Sequence, residues 1–460
     1  MVVTDPELIA PWLTDWRERY HGRSPALLQP DSIKAVAAIV AAAGKAGVPL
    51  VPQGGNTSMV GGATPPDDGS ALILSLRRLN RVRSIDAEAG LAVAEAGVIL
   101  ADLHAAALAV GRRFPLTLGA RGSATVGGRV STNAGGTQVL RHGTMRGLVA
   151  GIEAVLPDGS IHHGLAALKK DNRGYDLKEL LVGAEGTLGV VTAATLRLAP
   201  AVVGRAVAWV GISDPSNALA LLRRLEAATD AIESFELLPD ESLAAVLAHL
   251  PDARAPLGGP HCWHVLIEAV ATAPGDEPPA ALIERLLSDT LDLVEDATIA
   301  ASEAQAEAFW NLRDAISAAE RAQGPATQHD IAVPVNDMPR FLVDGAAACE
   351  ARFPGTHASG FGHLGDGNVH FHVRAPRGAD VARWYAEDAP VVTRFVHDLV
   401  VAAGGSISAE HGIGQMKRDE LARLSSPARM AVLAGVKRAF DPLGLMNPGK
   451  LVLAPGTMDQ

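Results

Sequence analysis

The sequence predicts an α+β protein of two domains, and three observations support this fold class. The chain has 460 residues, more than a single hydrophobic core usually serves. Residues 51–198 carry short apolar runs broken by Gly, Pro, Asn and Asp, which is typical of strands joined by turns. Residues 202–410 alternate strand-like runs with amphipathic helical ones, which indicates a sheet covered by helices.

The elements can be predicted in chain order. Residues 5–49 are predicted to be helical, with Asp31 and Ser32 as N-cap candidates for the apolar run that follows. Strands then dominate, from ALILSL to GTLGVVTAATLRL. A domain boundary is predicted near residue 201, because RAVAWVGI starts a new pattern there. SNALALLRRLEAAT and PPAALIERLLSDTLDLV predict helices of the second domain.

Composition and charge exclude several classes of partner. Lys and Arg number 40 against 51 Asp and Glu, and this net charge of -11 opposes nucleic-acid binding. The longest apolar run, at residues 35–44, is about half of the roughly 20 residues that span a bilayer, so no transmembrane segment is predicted. Cys262 and Cys349 lack metal or redox spacing, which favours a reduced cytoplasmic protein.

Two glycine-rich segments indicate a site for an anionic cofactor. The first, VPQGGNTSMVGGATP at residues 51–65, could be an ordinary glycine turn or an anion-binding nest of backbone N–H groups. The second, at residues 116–147, alternates glycines with small hydroxylated residues and has no obvious core pattern. Two such nests can hold one extended diphosphate cofactor.

A third segment, VGAEGTLGVVT at residues 182–192, completes a specific pattern. With it, the chain resembles FAD-dependent dehydrogenases of the vanillyl-alcohol-oxidase superfamily, in the branch of D-lactate and D-2-hydroxyglutarate dehydrogenases. The resemblance covers nearly the whole chain. It implies a two-part PCMH-type FAD-binding domain at residues 1–201, a substrate- and metal-binding cap domain at 202–411, and a segment at 412–460 that returns to the FAD domain.

The resemblance also implies which residues bind FAD, and that they bind it without a covalent bond. Some relatives tether the flavin through a histidine, and His142 is expected here as a non-covalent contact only. The residues carried over to FAD binding are Gln53, Gly54, Gly55, Asn56, Thr57, Ser58, Gly61, Gly62, Gly119, Gly122, Ser123, Thr125, Gly128, Ser131, Asn133, Ala134, Gly135, Gly136, His142, Glu185, Gly186, Gly189, Val190 and Asn447.

Three histidines cluster in GFGHLGDGNVHFHV, residues 360–373. Side chains alternate along a strand, so His370 and His372 are predicted to point to one face, with His363 across a turn. A lone histidine is more often a surface or hydrogen-bonded core residue, but clustering favours a metal site. Imidazole ligands with open positions are typical of catalytic zinc and also compatible with Mn or Fe.

A separate segment, ISAEHGIGQ, adds Glu410 and His411. The resemblance implies that His363, His370 and Glu410 are the metal ligands and that His411 is the catalytic base. His372 stands where this branch usually has asparagine, so we treat it as a ligand or a substrate contact.

The segment SEAQAEAFWNLRDAISAAERA predicts a helix that begins with a capping box at Ser302 and Gln305. Arg313 and Ser317 share one face of this helix at i, i+4. Such an arginine is usually solvated, although its guanidinium suits a substrate carboxylate. The resemblance implies that both residues contact substrate.

Gln328 stands where the relative acting on D-2-hydroxyglutarate has a lysine that faces the distal carboxylate. A glutamine can donate a hydrogen bond but carries no charge, so the resemblance leaves the substrate open. D-2-hydroxyglutarate, D-lactate, D-malate or a larger D-2-hydroxy acid are all compatible with the sequence.

The predicted function is FAD-dependent, metal-assisted oxidation of a D-2-hydroxy acid to the 2-keto acid, with hydride transfer to the flavin and His411 as base. With no NAD-binding motif, the electron acceptor is expected to be an electron-transfer flavoprotein, a quinone or a cytochrome. A homodimer is a possible assembly. The alternative is a flavin-binding subunit of a multi-protein 2-hydroxy-acid (glycolate) oxidase. A zinc hydrolase is not favoured, because the glycine-rich segments would have no role in such an enzyme.

Overall fold

The structure, a computed structural model, describes residues 1–117, 119–120 and 122–452. Backbone contacts divide the chain into two compact units. The first unit contains residues 1–136, 142–201 and those from 410 onward, and the second contains residues 137–141 and 202–409. Two details differ from the boundaries expected from sequence. Glu410 and His411, expected in the cap domain, belong to the first unit, and residues 137–141 belong to the second.

The elements follow one another along the chain as short strands and helices of mixed order. The strands are β1 (Val2–Val3), β2 (Leu27–Leu28), β3 (Leu50–Gln53), β4 (Leu72–Ser75), β5 (Val82–Asp86), β6 (Leu91–Glu95), β7 (Arg112–Arg113), β8 (Val149–Val155), β9 (Ile161–Gly164), β10 (Val190–Arg197), β11 (Ala199–Pro200), β12 (Gly204–Ile212), β13 (Ile232–Pro239), β14 (Trp263–Ala271), β15 (Asp296–Ile299), β16 (Ala326–Ala332), β17 (His357–His363) and β18 (Asn368–Arg374). The α-helices are α1 (Pro6–Ile9), α2 (Ile33–Ala46), α3 (Leu100–Leu108), α4 (Val126–Thr132), α5 (Val139–His142), α6 (Met145–Leu148), α7 (Leu177–Leu181), α8 (Pro215–Ala228), α9 (Asp240–His249), α10 (Pro279–Ser288), α11 (Glu303–Ala322), α12 (Met338–Arg352), α13 (Val381–Arg383), α14 (Ala389–Ala402), α15 (Arg418–Leu424) and α16 (Pro427–Phe440). Short 3-10 turns lie at Ala10–Trp12 and Val335–Asp337, and a π-helical turn lies at Trp384–Asp388.

The first unit is built on three sheets. Their strand orders are β1-β2-β4-β3, β5-β6-β10-β8-β9 and β11-β7. Helix α2 begins at Ser32, whose hydroxyl accepts the N–H of Ala35, and ends at Gly47 in the left-handed conformation. The expected N-cap is therefore confirmed at Ser32. Strand β8 is buried along its whole length between β10 and β9, and it forms the centre of the core of this unit.

The second unit is a seven-stranded antiparallel sheet covered by helices on both faces. The strand order is β15-β12-β14-β13-β17-β18-β16. Helices α8, α10, α12 and α14 bury their apolar sides against one face, and α9 and α11 cover the other. The two faces follow from the alternation of side chains along each strand; Val210 of β12 packs on one face, whereas its neighbour Trp209 packs on the other.

Within the described part of the chain, no helix is long and apolar enough to cross a bilayer.

Candidate functional site

The first unit contains a cavity of about 690 Å³, within the range typical of small-molecule and cofactor sites. Most of its lining comes from four stretches of chain, within residues 52–63, 119–135, 185–186 and 410–411, and Trp16, Leu76 and Ala96 complete it. The first three are the glycine-rich segments that the sequence analysis singled out, and the fourth contains the predicted catalytic base. Parts of the chain that are far apart in sequence therefore share one cavity.

Most of the residues predicted to bind FAD line this cavity. They are Gln53, Gly54, Gly55, Asn56, Thr57, Ser58, Gly62, Gly119, Ser123, Thr125, Gly128, Ser131, Gly135, Glu185 and Gly186. His411, predicted as the base, and Glu410, predicted as a metal ligand, line it too.

The remaining residues predicted to bind FAD lie outside the lining. They are Gly61, Gly122, Asn133, Ala134, Gly136, His142, Gly189, Val190 and Asn447. Some of them contact other residues of this unit. Asn133, for example, ends α4 in the left-handed conformation, and its side chain accepts the N–H of Arg146. His142 lies with Nε2 3.4 Å from the guanidinium of Arg113.

The first glycine loop packs directly against the second. A Cβ atom on Gly54 would lie 2.2 Å from Oγ1 of Thr125, and one on Gly55 would lie 2.0 Å from the backbone oxygen of Ser123. Both distances are far below van der Waals contact, so only glycine fits at these two positions. The close approach brings the two loops together at one wall of the cavity.

The same loop offers unused hydrogen-bonding groups to the cavity. Among the described residues, the backbone N–H groups of Asn56, Thr57 and Ser58 have no acceptor. Nε2 of the buried Gln53 donates to the backbone oxygens of Trp12 and Ala63, whereas its Oε1 has no partner. A row of N–H groups without acceptors beside hydroxyl side chains is suited to the oxygens of a diphosphate.

We expect Gly55→Ala to weaken FAD binding by about tenfold or more, because a methyl group at this position must displace the backbone at Ser123. The measurement is the flavin absorbance retained per protein after purification, followed by FAD titration of the apoprotein. Gly435→Ala in α16 is the matched control, since no atom lies within 4 Å of the added methyl group. Equal FAD affinity of the two variants would contradict the proposed role of the loop.

Glu185 holds the loop that carries Glu410 and His411. Its buried carboxylate accepts the backbone N–H groups of Ile413 and Gly414, both at 2.7 Å. Burial raises the pKa of Glu185, although these two amides act in the opposite direction. The side chain thus lines the cavity and also fixes the main chain two residues beyond His411.

Asn447 connects the same structures from the C-terminal segment. Its Nδ2 donates to the backbone oxygens of Gly62 at 2.9 Å and Glu185 at 2.7 Å. The residue is buried and adopts a positive φ of 44°. Its contacts are with two cavity loops, which explains how it supports the site without lining it.

In the second unit, the three clustered histidines lie on one face of the sheet. Strands β17 and β18 form a hairpin in which Phe361 is directly opposite His370. The Phe361 ring contacts both His370 and His372, with centroids 5.1 and 5.6 Å away, so these two share its face. The rings of His363 and His370 are 5.6 Å apart.

Glu236 of β13 connects His363 to Arg313. Its Oε1 lies 2.5 Å from Nδ1 of His363, and its Oε2 accepts the Nε–H of Arg313 at 2.8 Å. Burial alone would raise the pKa of Glu236, but the charges of Arg313 and His363 outweigh it and lower this pKa to about 2. The carboxylate is therefore ionised and fixes the orientation of both partners.

Helix α11 directs a polar edge towards the same face. Arg313, Ser317 and Glu320 follow the i, i+4, i+7 spacing of one helical side. The buried Glu320 contacts Nδ1 of His372 and accepts the hydroxyl of Ser242 at 3.1 Å. The helix begins at Ser302, whose hydroxyl accepts the N–H of Gln305, so the predicted N-cap is confirmed. The reciprocal bond of the predicted capping box differs, because Oε1 of Gln305 accepts the N–H of Ala301 instead of that of Ser302.

Gln328 lies directly opposite His372 in the ladder between β16 and β18. Opposite partners share a face, so Gln328 lies beside the pair formed by His372 and Glu320. The residues of the second unit that were predicted to bind substrate therefore all lie on α11 or on the sheet face that α11 covers.

Comparison with known proteins assigns the chain to a family. A model of the FAD binding domain matches residues 24–164, and a model described as FAD linked oxidases, C-terminal domain, matches residues 204–451. The chain belongs to the FAD-linked oxidases. It is therefore an oxidoreductase with an FAD-binding domain, as the sequence analysis predicted.

Relatives of this FAD-linked oxidase match over almost its whole length. It is 34% identical to the mitochondrial D-2-hydroxyglutarate dehydrogenase of Arabidopsis thaliana, over 98% of this chain and 79% of that protein. It is 35% identical to D-2-hydroxyglutarate dehydrogenase of Xanthomonas citri pv. viticola, over 97% and 93%. The solved structure of 4-ethylphenol oxidase from Gulosibacter chungangensis shares the fold, with a TM-score of 0.70, 19% identity and coverage of 99% and 95%.

Sequence reasoning missed several residues of this FAD-linked oxidase. Trp16 and Arg129 line the cavity, and Glu236 and Glu320 fix predicted site residues of the second unit. Arg129 carried a signal, because it lies inside the second glycine-rich segment. The two glutamates carried none, since each lies in an ordinary strand or helix far from the residue that it contacts.

Proposed function

We propose that this chain oxidises a D-2-hydroxy acid to the corresponding 2-keto acid, with FAD held non-covalently in the cavity of the first unit. The observation that carries the proposal is that His411 lines the same cavity as the loops suited to a diphosphate. The relatives named above as D-2-hydroxyglutarate dehydrogenases support the substrate class.

FAD, when bound, supplies the acceptor for the hydride from the substrate carbon. We assign to His411 the removal of the hydroxyl proton, because a neutral imidazole is suited to accept a proton near neutral pH. Glu185 acts through the main chain, since it holds Ile413 and Gly414 and so restricts the loop that carries His411. Thr125, Gln53 and the loop amides bind and orient the cofactor.

We further propose a divalent metal, zinc with Mn or Fe as alternatives, held by His363, His370 and Glu410. Such an ion would bind the substrate hydroxyl and carboxylate as a Lewis acid. The donor types fit, and Glu236 supports this assignment, because a histidine that binds a metal usually has its other ring nitrogen fixed by a carboxylate or carbonyl. Metal analysis of the purified protein tests it.

For the substrate we propose contacts with Arg313, Ser317, Gln328 and His372. Arg313 has the guanidinium geometry suited to a carboxylate. Gln328 is neutral, and His372 is paired with the carboxylate of Glu320. A second carboxylate of the substrate that lies beside these two residues would therefore meet little excess positive charge.

We expect Gln328→Lys to raise kcat/KM for D-2-hydroxyglutarate relative to D-lactate by about tenfold or more, because a charge-assisted hydrogen bond contributes about 1.5–3 kcal/mol. Steady-state rates of the two proteins on both acids measure the change. Gln328→Met, which has a similar volume and no donor, is the control. An unchanged ratio in the lysine variant would place the distal group of the substrate elsewhere.

The acceptor of the electrons is proposed to be an electron-transfer flavoprotein, a quinone or a cytochrome, and the assembly a homodimer in the cytoplasm. The free thiols of Cys262 and Cys349 are compatible with a reducing compartment.

The visible spectrum of the purified protein tests the proposed function. We expect oxidised flavin bands that are bleached anaerobically by D-2-hydroxy acids and retained with the L enantiomers. Flavin bands that none of a panel of D-lactate, D-malate and D-2-hydroxyglutarate bleaches would contradict the proposed oxidation while leaving FAD binding intact.

A further inference from the structure

The first glycine loop is bonded to Arg77, a residue that lies outside the cavity lining. Nε of Arg77 donates to the backbone oxygen of Gly54 at 3.1 Å, and Nη2 donates to that of Gly55 at 3.2 Å. Two donors of one guanidinium therefore hold two consecutive carbonyl groups of the loop. An arginine is suited to this arrangement, because its donors form a rigid and planar fork.

The guanidinium of Arg77 is itself held in place. Its Cζ lies 4.7 Å from the centroid of the Trp12 ring, which is a cation–π distance. The backbone oxygen of Trp12 accepts Nε2 of Gln53 at 3.0 Å. The N–H of Leu76, the residue before Arg77, donates to the backbone oxygen of Gln53, also at 3.0 Å. Trp12, Gln53 and Arg77 thus form one clamp at the point where the loop begins.

The two bonds from Arg77 also fix the direction of two amide N–H groups. The carbonyl of Gly54 shares a peptide unit with the N–H of Gly55, and the carbonyl of Gly55 shares one with the N–H of Asn56. These peptides are trans, so the carbonyl and the N–H of each point in opposite directions. Because Arg77 holds both oxygens on its own side, both N–H groups point away from it.

These two N–H groups are available to a ligand. Neither the N–H of Gly55 nor that of Asn56 has an acceptor among the described residues, and both residues line the cavity. An amide whose oxygen accepts from a cation is also a stronger donor, because linked hydrogen bonds polarise one another. Arg77 therefore acts on the cavity through the main chain, without lining it.

We propose that Arg77 is a positioning residue for the diphosphate of FAD. It holds the carbonyl groups of Gly54 and Gly55, and it thereby directs the amides of Gly55 and Asn56 to the phosphate oxygens. This inference rests on FAD binding in the cavity of the first unit and does not depend on which acid is oxidised. It also specifies the part of the cofactor that is affected, which is the diphosphate and not the flavin ring.

The test is the rate at which FAD leaves the holoenzyme after dilution, followed by flavin fluorescence. We expect Arg77→Met to raise this rate by about tenfold, because two hydrogen bonds from a charged donor no longer orient the loop. Arg77→Lys keeps the charge but lacks the planar fork, so an intermediate rate is expected. Competition with FAD for the apoprotein then separates the two parts of the cofactor. ADP, which carries the diphosphate, should compete less well in Arg77→Met, whereas riboflavin, which lacks phosphate, should compete as in the wild type.

Arg78→Met is the matched control, because it removes the same charge from the adjacent position. Arg78 donates to the backbone oxygen of Gln29 at 3.2 Å and to the carboxylate of Asp31 at 3.0 Å. We expect this variant to release FAD at the wild-type rate. Thermal unfolding shows whether both variants are folded, and if Arg77→Met is not, Arg77→Lys and Arg78→Lys give the same comparison.

Two results would overturn the role of Arg77. One is release of FAD from the folded Arg77 variant at the rate of the Arg78 variant. The other is an equal loss of ADP and riboflavin binding, which would assign Arg77 to the general stability of the cavity. A wild-type protein that binds no FAD would instead contradict the cofactor site itself, so the two failures can be distinguished.

Discussion

Replacement of His411 by alanine is expected to lower the rate of flavin reduction by a D-2-hydroxy acid by about 10²–10⁴-fold, the range that a positioned general base usually contributes. FAD should remain bound, because the cofactor loops of residues 53–58 and 119–135 are unchanged. The expected loss of rate has a chemical reason. A hydride can leave the substrate carbon readily only when the hydroxyl proton is removed, and His411 is the imidazole that lines this cavity.

The measurement is anaerobic stopped-flow absorbance of the flavin band after mixing with substrate. His163→Ala is a suitable control, because this histidine belongs to the same unit and its side chain is 71% exposed. Solvent and substrate isotope effects separate proton from hydride transfer in the residual reaction. Flavin reduction in the His411 variant at the wild-type rate would remove this residue from the mechanism.

Substitution of Glu236 is expected to have the second large effect, because one carboxylate fixes two site residues. Glu236→Gln keeps the shape but removes the charge between His363 and Arg313, and we expect kcat/KM to fall by about 10–100-fold. Zinc affinity, measured by competition with a chelator, should fall by a similar factor if His363 is a ligand. Glu236→Ala removes the buried carboxylate that pairs with Arg313, whose side chain is 12% exposed, and should destabilise the fold by about 3–5 kcal/mol.

Glu241→Gln provides the matched control for Glu236. It removes a glutamate that also contacts a histidine, His357 at 2.6 Å, but this pair lies on the surface of the same unit. Exposed ion pairs contribute little, so stability and kinetics should be unchanged within experimental error. Similar effects of the Glu236 and Glu241 substitutions would show that the buried pair has no special role.

The parts of the fold and site that the sequence predicted are those encoded by neighbouring residues. The glycine loops, the cap at Ser32 and the shared face of His370 and His372 depend on local conformation or on the two-residue period of a strand. Such features can be recognised within one short window of sequence. The family resemblance added roles for them, since spacing alone does not distinguish a metal ligand from a buried histidine.

The parts that sequence could not predict depend on contacts between distant residues. Glu236 and His363 are 127 positions apart, and Glu185 meets Ile413 across 228. Glu236 belongs to no periodic or glycine-rich pattern, and although Glu185 lies in the third glycine-containing segment, nothing local marks Ile413 as its partner. That Glu410 and His411 belong to the first unit also depends on a contact between distant residues. The carboxylate of Glu185 holds the main chain that follows them.

The hydrogen bond between Asn447 and Gly62 also constrains how the protein is made on the ribosome. These residues are 385 positions apart, so the loop at residues 53–62 emerges long before its partner is translated. The entire 202–409 segment is synthesised in between and can acquire its own sheet first, since domains generally fold as units. We therefore expect the loop at residues 53–62 to reach its final conformation only after Asn447 has been added to the nascent chain.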